Sequence, residues 1–395
     1  MNDRINPRRV LHADAEALAT LFCELVEMDN ESFAEREMAD AVTRRLQAMG
    51  LAVTEDDTGA HIGASAGNLY AVLPGTGDLR DALPIALCAH LDSVSPAGGK
   101  RAVRQENGSI TSAGDTVLGA DDLSAVAAIL EAVRILNGSS QAHRPLELLF
   151  TVCEEPYTLG SRTMAAQGLP LRAKTVIVPD LTGRVGIAAI AAPTILALTV
   201  TVTGRASHAG FAPEAGIHAI AVAARALSRL KLGHVDAGTT VGIGTIAGGT
   251  VANAVPEKCV LSGEIRGYAD ARVWEELQTI KDIFEQEAKD AGATVQIETE
   301  LRTRAYRMAE NSHPVALFKH ACRQRGIACT LTETFGGSDA NTFAEHGYDV
   351  LVIANAMNNV HSVNEYTEVG EMARLCELLL SMATCDDHEL SDDKT

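Results

Sequence analysis

Four apolar runs of strand length constrain this chain most, because each leads into residues able to hold a metal ion. PIALCAH (84–90) ends on His90, with Asp92 two residues on, and PLELLFTVC (145–153) runs into Glu154 and Glu155. KTVIVPD (174–180) ends on Asp180, and YDVLVIANA (348–356) leads to His361. A fifth stretch, TVLGADD (116–122), sets Asp121 and Asp122 directly before LSAVAAILEAVRIL, a helical pattern with an apolar face through Val126, Ile129, Leu130 and Val133. Runs that are apolar at successive positions, rather than alternating, suit strands buried on both faces. Helical patterns lie between them, as in AEALATLFCELVEM (15–28) and AEREMADAVTRRLQAMG (34–50), the latter closed by Gly50. The order predicts an α/β fold with a central mixed, mostly parallel sheet and helices on both faces. In such a sheet the carboxyl ends of the strands line one crevice, where residues distant in sequence converge.

The rhythm changes between about 195 and 307. Strands are expected at 195–203, 241–247, 257–268 and 293–300, with helices at 213–230 and 270–291. This β-α-β-β-α-β order is that of a ferredoxin-like α+β module inserted whole. The expected domains are therefore 1–194 with 308–395, and an inserted 195–307. Val185 to Gly204 is twenty residues without a charge, but Pro193 interrupts it and Leu198, Val200 and Val202 alternate with threonines. Period two reads as strands joined at a turn, not as a membrane helix. The last residues, CDDHELSDDKT, read as a frayed acidic tail.

A formal net charge of −19 leaves no basic excess to neutralise phosphates, which argues against nucleic-acid and anionic-membrane partners. The eight cysteines show no CxxC spacing, and the opening MNDRINPRRVLHADAEALAT lacks the apolar core of a secretory signal. Both favour the cytoplasm over a disulfide framework.

Placed side by side, Glu154 and Glu155 repel, and burial adds a desolvation cost. Either they are solvated on a loop or a cation sits beside them. Asp121 or Asp122 could equally cap the following helix, and Asp180 could shape a turn. Repeated placement at strand ends is what favours a shared site. His90 and Asp92, two apart, can face the same way, so that Asp92 fixes the tautomer of a ligating His90. If Asp121, Glu155 and Asp180 are ionised ligands and His90 and His361 neutral ones, the charge is −3 against +4 from two divalent ions. That leaves room for one hydroxide. Imidazole and carboxylate ligands suit zinc, and also cobalt and manganese. Glu154 is then free to move protons.

These residues lie in stretches that resemble the M20 family of di-metal aminoacylases, carboxypeptidases and aminopeptidases, and more narrowly its peptidase T-like branch. The stretches are AHLDSV (89–94), GDTVLGADD (114–122), FTVCEE (150–155), GRASHAGFAPEAGIHAI (204–220), GGTVANAVPEKCVLSGEIR (248–266), FGGSDANTF (335–343) and HSVNEYTEV (361–369). They follow the family's order over nearly the whole chain. The resemblance implies a zinc-peptidase-like catalytic domain with one metal on His90, Asp121 and Asp180 and another on Asp121, Glu155 and His361. It implies Glu154 as catalytic base and Asp92 as the partner that orients His90. It makes the inserted module a lid that often carries a homodimer contact, with His208 stabilising the oxyanion and Asn253 and Arg266 holding polar groups of the substrate. Asp339, in FGGSDAN, receives no role. The chain departs from the family at Leu123 and Ser124, where lysine and glycine are usual, and at Cys153 and Pro156. None of these removes a ligand.

Hydrolysis of a peptide or peptide-like amide follows, with an aminopeptidase acting on short peptides first. The same centre serves a carboxypeptidase, an aminoacylase or another N-acyl or N-carbamoyl amino acid amidohydrolase. A non-catalytic metal- or peptide-binding protein on this scaffold would have no use for Glu154.

Overall fold

The computed structural model describes residues 10–390, which fall into two compact units. The first comprises the residues up to Ile190 together with Arg307–Glu333 and those from Ser338 onward. The second comprises Ala191–Tyr306 and Thr334–Gly337, so a short return segment read with the closing part of the chain belongs to the second unit instead.

The first unit is built on an eight-stranded mixed sheet. Its order is Val53–Glu55, Leu69–Leu73, Leu146–Thr151, Ile85–His90, Thr175–Leu181, Asp349–Ala354, Ile187–Ala189, Thr330–Thr332. The four inner strands, Leu146–Thr151 through Asp349–Ala354, run parallel, with His90 in register with Thr151. These are the four apolar runs, and parallel pairing brings their carboxyl ends to one edge. Helix Ala120–Asn137 is buried along nearly its whole length, with small residues Ala125, Ala127, Ala128 and Ala132 admitting close neighbours. A helix apolar all round is one buried all round. Ala15–Val26 and Val369–Thr384 pack against it. A small sheet of Ala102–Arg104, Ser109–Ser112 and Tyr366–Glu368, too short and polar to read from sequence, completes the unit.

The second unit bears out the inserted α+β module. Its five-stranded antiparallel sheet has the order Gly233–Asp236, Thr239–Gly248, Lys258–Gly267, Thr194–Thr203, Thr294–Thr303. Leu196, Leu198, Val200 and Val202 face a core closed by helices Ala219–Arg229 and Asp270–Ala291. The first helix starts later than residue 213, because Pro213–Ala215 forms a short 3-10 turn and His218 caps the helix by accepting from Ala221 N–H at 3.2 Å. Edge strand Gly233–Asp236 is additional to the expected order. Among the described residues no helix is long and apolar enough to cross a membrane.

The acidic tail is docked as far as residue 390, and its last five residues lie outside the described ones. Cys385 is buried and Asp387 accepts from Arg144, a fully buried arginine, at 2.6 Å. Arg144 also donates to the Cys385 carbonyl at 2.7 Å and the Leu83 carbonyl at 3.2 Å. Frayed chain was expected because composition hides a tertiary ion pair. Burial raises the Asp387 carboxyl, but hydrogen bonds from His313 and Arg144 outweigh it and bring it down to about 2. Its stabilisation is complete above the unfolded carboxylate range near roughly 4 and disappears as pH falls through the folded value. Asp387→Ala is expected to cost about 2 kcal/mol at neutral pH, since it strands a buried guanidinium. Urea denaturation of the variant beside the parent measures it.

Candidate metal centre

The carboxyl ends of the inner strands deliver their side chains to one cluster. His90 closes its strand, Asp180 sits near the end of Thr175–Leu181, and Glu154 and Glu155 follow Leu146–Thr151 by a short turn in which Cys153 has φ +50°. Asp121 and Asp122 occupy the non-helical start of Ala120–Asn137. His361, also at positive φ, arrives on the loop after Asp349–Ala354.

His90 Nε2 lies 3.0 Å from Asp121 Oδ1. His361 Nε2 lies 3.2 Å from Asp121 Oδ2 and 3.1 Å from Glu155 Oε2. Asp121 therefore stands between the two imidazoles. Three sets of ligand atoms lie within 4.8 Å of one another: His90, Asp121 and Glu155; His90, Glu154 and Asp180; Asp121, Asp122 and Asp180. All five expected ligands and Glu154 are thus brought together.

Asp92 organises this cluster from behind. His90 Nδ1 is 3.0 Å from the Asp92 carbonyl and 3.4 Å from its carboxylate. A carbonyl only accepts, so Nδ1 carries a proton; Nε2 is the nitrogen that faces Asp121, donating to it in the absence of a cation and free to ligate once a metal takes that proton's place. The Asp92 carboxylate also accepts from Glu154 N–H at 2.9 Å, Glu155 N–H at 3.2 Å and Ser32 Oγ–H at 2.7 Å. One buried acid thereby fixes both the imidazole and the turn carrying the paired glutamates.

The site gathers five acids against two imidazoles. Burial raises Glu154, Asp180, Asp122 and Glu155 above the ordinary carboxylate range, and for Glu154 the neighbouring Asp180, Asp339 and Glu155 add to it against His90. Asp121 moves the other way: burial opposes its charge, but hydrogen bonds from His361 and His90 prevail. Hydrogen bonds to Asp121 and Glu155 hold His361 up to about 10. Glu155 Oε1 is buried without a hydrogen-bond partner. A buried, unpartnered carboxylate oxygen beside two imidazoles and four more acids is a set of donors suited to a positive ion. The residues fit a divalent-metal centre.

Several contributors escaped the sequence reading. Asp122 accepts from His90 N–H at 3.2 Å and from Asn355 Nδ2–H at 2.6 Å, holding strand and loop together. Glu365 accepts the N–H groups of Leu118, Gly119 and Asp121 at 2.8, 2.7 and 3.0 Å. Asp339, left without a role, is buried and accepts from Ser161 and Thr151. Asp122 was legible as an acid beside Asp121 but not as a brace, and only the quoted stretches around Glu365 and Asp339 hinted at those two.

His208, Asn253 and Arg266 lie in the second unit. His208 and Asn253 are neighbours there: Ser207–His208 pairs with Ala254–Val255, and Ala209 N–H donates to the Asn253 carbonyl at 3.0 Å. His208 Nδ1 accepts from Gly210 and Phe211 N–H at 3.1 and 3.2 Å, and the ring stacks on Phe211 at 4.2 Å. Arg266 pairs with Glu264 at 2.7 Å and donates to the Phe335 carbonyl at 2.7 Å.

Comparison with known proteins adds the following. The Peptidase dimerisation domain family, M20 type, matches residues 190–292, and Peptidase family M28 matches residues 68–220. The chain is 33% identical to the aminopeptidase PepT of Bacillus cereus, covering 94% of this chain and 98% of that one, with a TM-score of 0.84. A tripeptidase of Staphylococcus aureus superposes with a TM-score of 0.89 at 27% identity, covering 95% and 99%. The uncharacterized protein YqjE of Bacillus subtilis is 32% identical over 367 residues, 91% of this chain and 96% of its own.

Proposed function

We infer a metal-dependent hydrolase of peptide or peptide-like amide bonds, on the premise that the chain belongs to the M20 metallopeptidase family, in its peptidase T-like branch. The observation that carries the reading is the cluster of His90, Asp121, Glu155 and His361 with Glu155 Oε1 buried and unpartnered. We assign one ion to His90, Asp121 and Asp180 and a second to Asp121, Glu155 and His361, with zinc as the native metal. Divalent ions there polarise a carbonyl and acidify water near neutral pH.

The chain's own groups do the remaining work. Glu154 is buried, its carboxylate accepts no hydrogen bond among the described residues, and burial with the acids around it raises its affinity for a proton. It takes the proton of the attacking water at a carboxylate oxygen and hands it to the departing nitrogen. Asp92 holds His90 in the tautomer that presents Nε2. His208 accepts two backbone N–H groups at Nδ1, so its proton sits on Nε2, where it can donate to a developing oxyanion. Asn253 and Arg266 are assigned to polar groups of the substrate, including a carboxylate.

The relatives named as an aminopeptidase and a tripeptidase put free short peptides first among substrates. Tripeptides, dipeptides and N-acyl amino acids should be screened together, with zinc content measured. Release of the N-terminal residue from a free tripeptide is expected, abolished by chelation and restored by zinc. Turnover of N-acyl amino acids alone would move the assignment to an amidohydrolase. A homodimer through the second unit is proposed from the dimerisation-domain match; sedimentation should find a species of twice 41.6 kDa. With no disulfide among eight cysteines, a reducing cytoplasm is the proposed location.

A further inference from the structure

Lys100 is 2% exposed, yet among the described residues no carboxylate pairs with it. Its ammonium donates to two neutral oxygens, Asn30 Oδ1 and, at 3.4 Å, Ser93 Oγ. A buried ammonium without a counter-ion is costly, and a neutral side chain would fill the space more cheaply. Burial draws it down to about 8 against the fields of Glu365, Asp29 and Glu31.

Two of the segments that carry expected metal ligands meet at this amine. Through Asn30 it reaches the first: Asn30 Nδ2 donates to the Leu91 carbonyl at 2.7 Å, between His90 and Asp92, and the Asn30 carbonyl accepts from Ser93 N–H at 2.9 Å. The second approaches at Gly119, two residues before Asp121. Gly119 has φ +78°, and a Cβ there would fall 2.8 Å from both Lys100 Nζ and Ser93 Oγ. Only glycine allows that approach. The same short segment has its N–H groups held by the buried Glu365 carboxylate. The ammonium thus lies close against Gly119 while the Glu365 carboxylate holds the N–H groups of the loop that presents Asp121.

We infer that Lys100 is a positioning residue of the metal centre: its ammonium braces the Leu91 and Gly119 segments together so that His90 and Asp121 present their donors 3.0 Å apart. This rests on the reading of those two residues as ligands. A charge at that spot, rather than the lysine stem, is what matters. Leu123 offers a way to relocate it, since its Cδ1 lies 3.5 Å from the same point on Gly119.

The test titrates zinc into metal-stripped protein against a chromogenic chelator, for the parent, Lys100→Met, Lys100→Met/Leu123→Lys and Asp121→Asn, with circular dichroism on each. Lys100→Met should fold and bind zinc about tenfold more weakly, and the double variant should recover most of that loss. Asp121→Asn should lose far more. Parent-like affinity in Lys100→Met overturns the proposal, as does a folded double variant no better than the single. A Lys100→Met chain that fails to fold and is not rescued by Leu123→Lys assigns the lysine to folding alone and overturns it too; one that Leu123→Lys restores to folding and zinc binding supports it. Parent-like affinity in Asp121→Asn removes instead the ligand reading beneath it.

Discussion

Glu154→Gln is expected to lower kcat about a thousandfold, within the range that positioned acid–base groups contribute, while KM, fold and zinc content stay near those of the parent. Glutamine keeps the shape of the side chain but cannot take a proton from water. Glu154 is surrounded by Asp180, Asp339 and Glu155, which together with burial raise its affinity for a proton. A carboxylate so placed can take a proton from water and, once protonated, return it to a departing amine. The alternative is that Glu154 itself binds metal, since its carboxylate lies within 4.8 Å of ligand atoms of His90 and Asp180. The two roles separate cleanly. Loss of turnover with both metal equivalents retained identifies the proton carrier, loss of one equivalent identifies a ligand, and retained turnover excludes both.

The sequence was most legible where the fold itself does the gathering. Parallel strands share one carboxyl edge, so His90, Glu154, Glu155 and Asp180 could be placed together from the ends of apolar runs alone. His361 was legible only because it follows such a run, although it is reached through a loop with backbone at positive φ. Residues that act through loops were not legible. Glu365 holds three N–H groups more than two hundred residues away, and Asn355 reaches Asp122 across the same centre. No period of two or 3.6 encodes such contacts, because they depend on loop paths fixed by packing. The docked tail failed for the same reason: CDDHEL reads as solvated until Arg144 is seen buried beneath it. Within the second unit, alternation gave the Thr194–Thr203 strand well, whereas the start of Ala219–Arg229 depended on a histidine cap that composition disguises.

Asp121→Asn carries the other large expectation: loss of both metal equivalents and of at least a thousandfold in turnover. Asp121 stands within hydrogen-bond distance of both imidazoles, through different carboxylate oxygens at 3.0 and 3.2 Å. Replacing one oxygen by an amide leaves a donor facing His90 or His361, and the nitrogen it faces must then turn away or give up its proton. A variant of Asp180 or Glu155 should by contrast weaken one equivalent before the other, because each is assigned to a single ion. The metal-stripped variant also loses its pairing with His90 and His361, so a fall in its own unfolding midpoint says nothing about metal. The response to added zinc does. A ligand at about a hundred times its dissociation constant adds roughly 2.7 kcal/mol to the stability of a folded protein, and that increment should be present in the parent and absent in Asp121→Asn. An equal zinc-induced rise in both proteins would place the ion elsewhere and leave Asp121 as a purely structural acid.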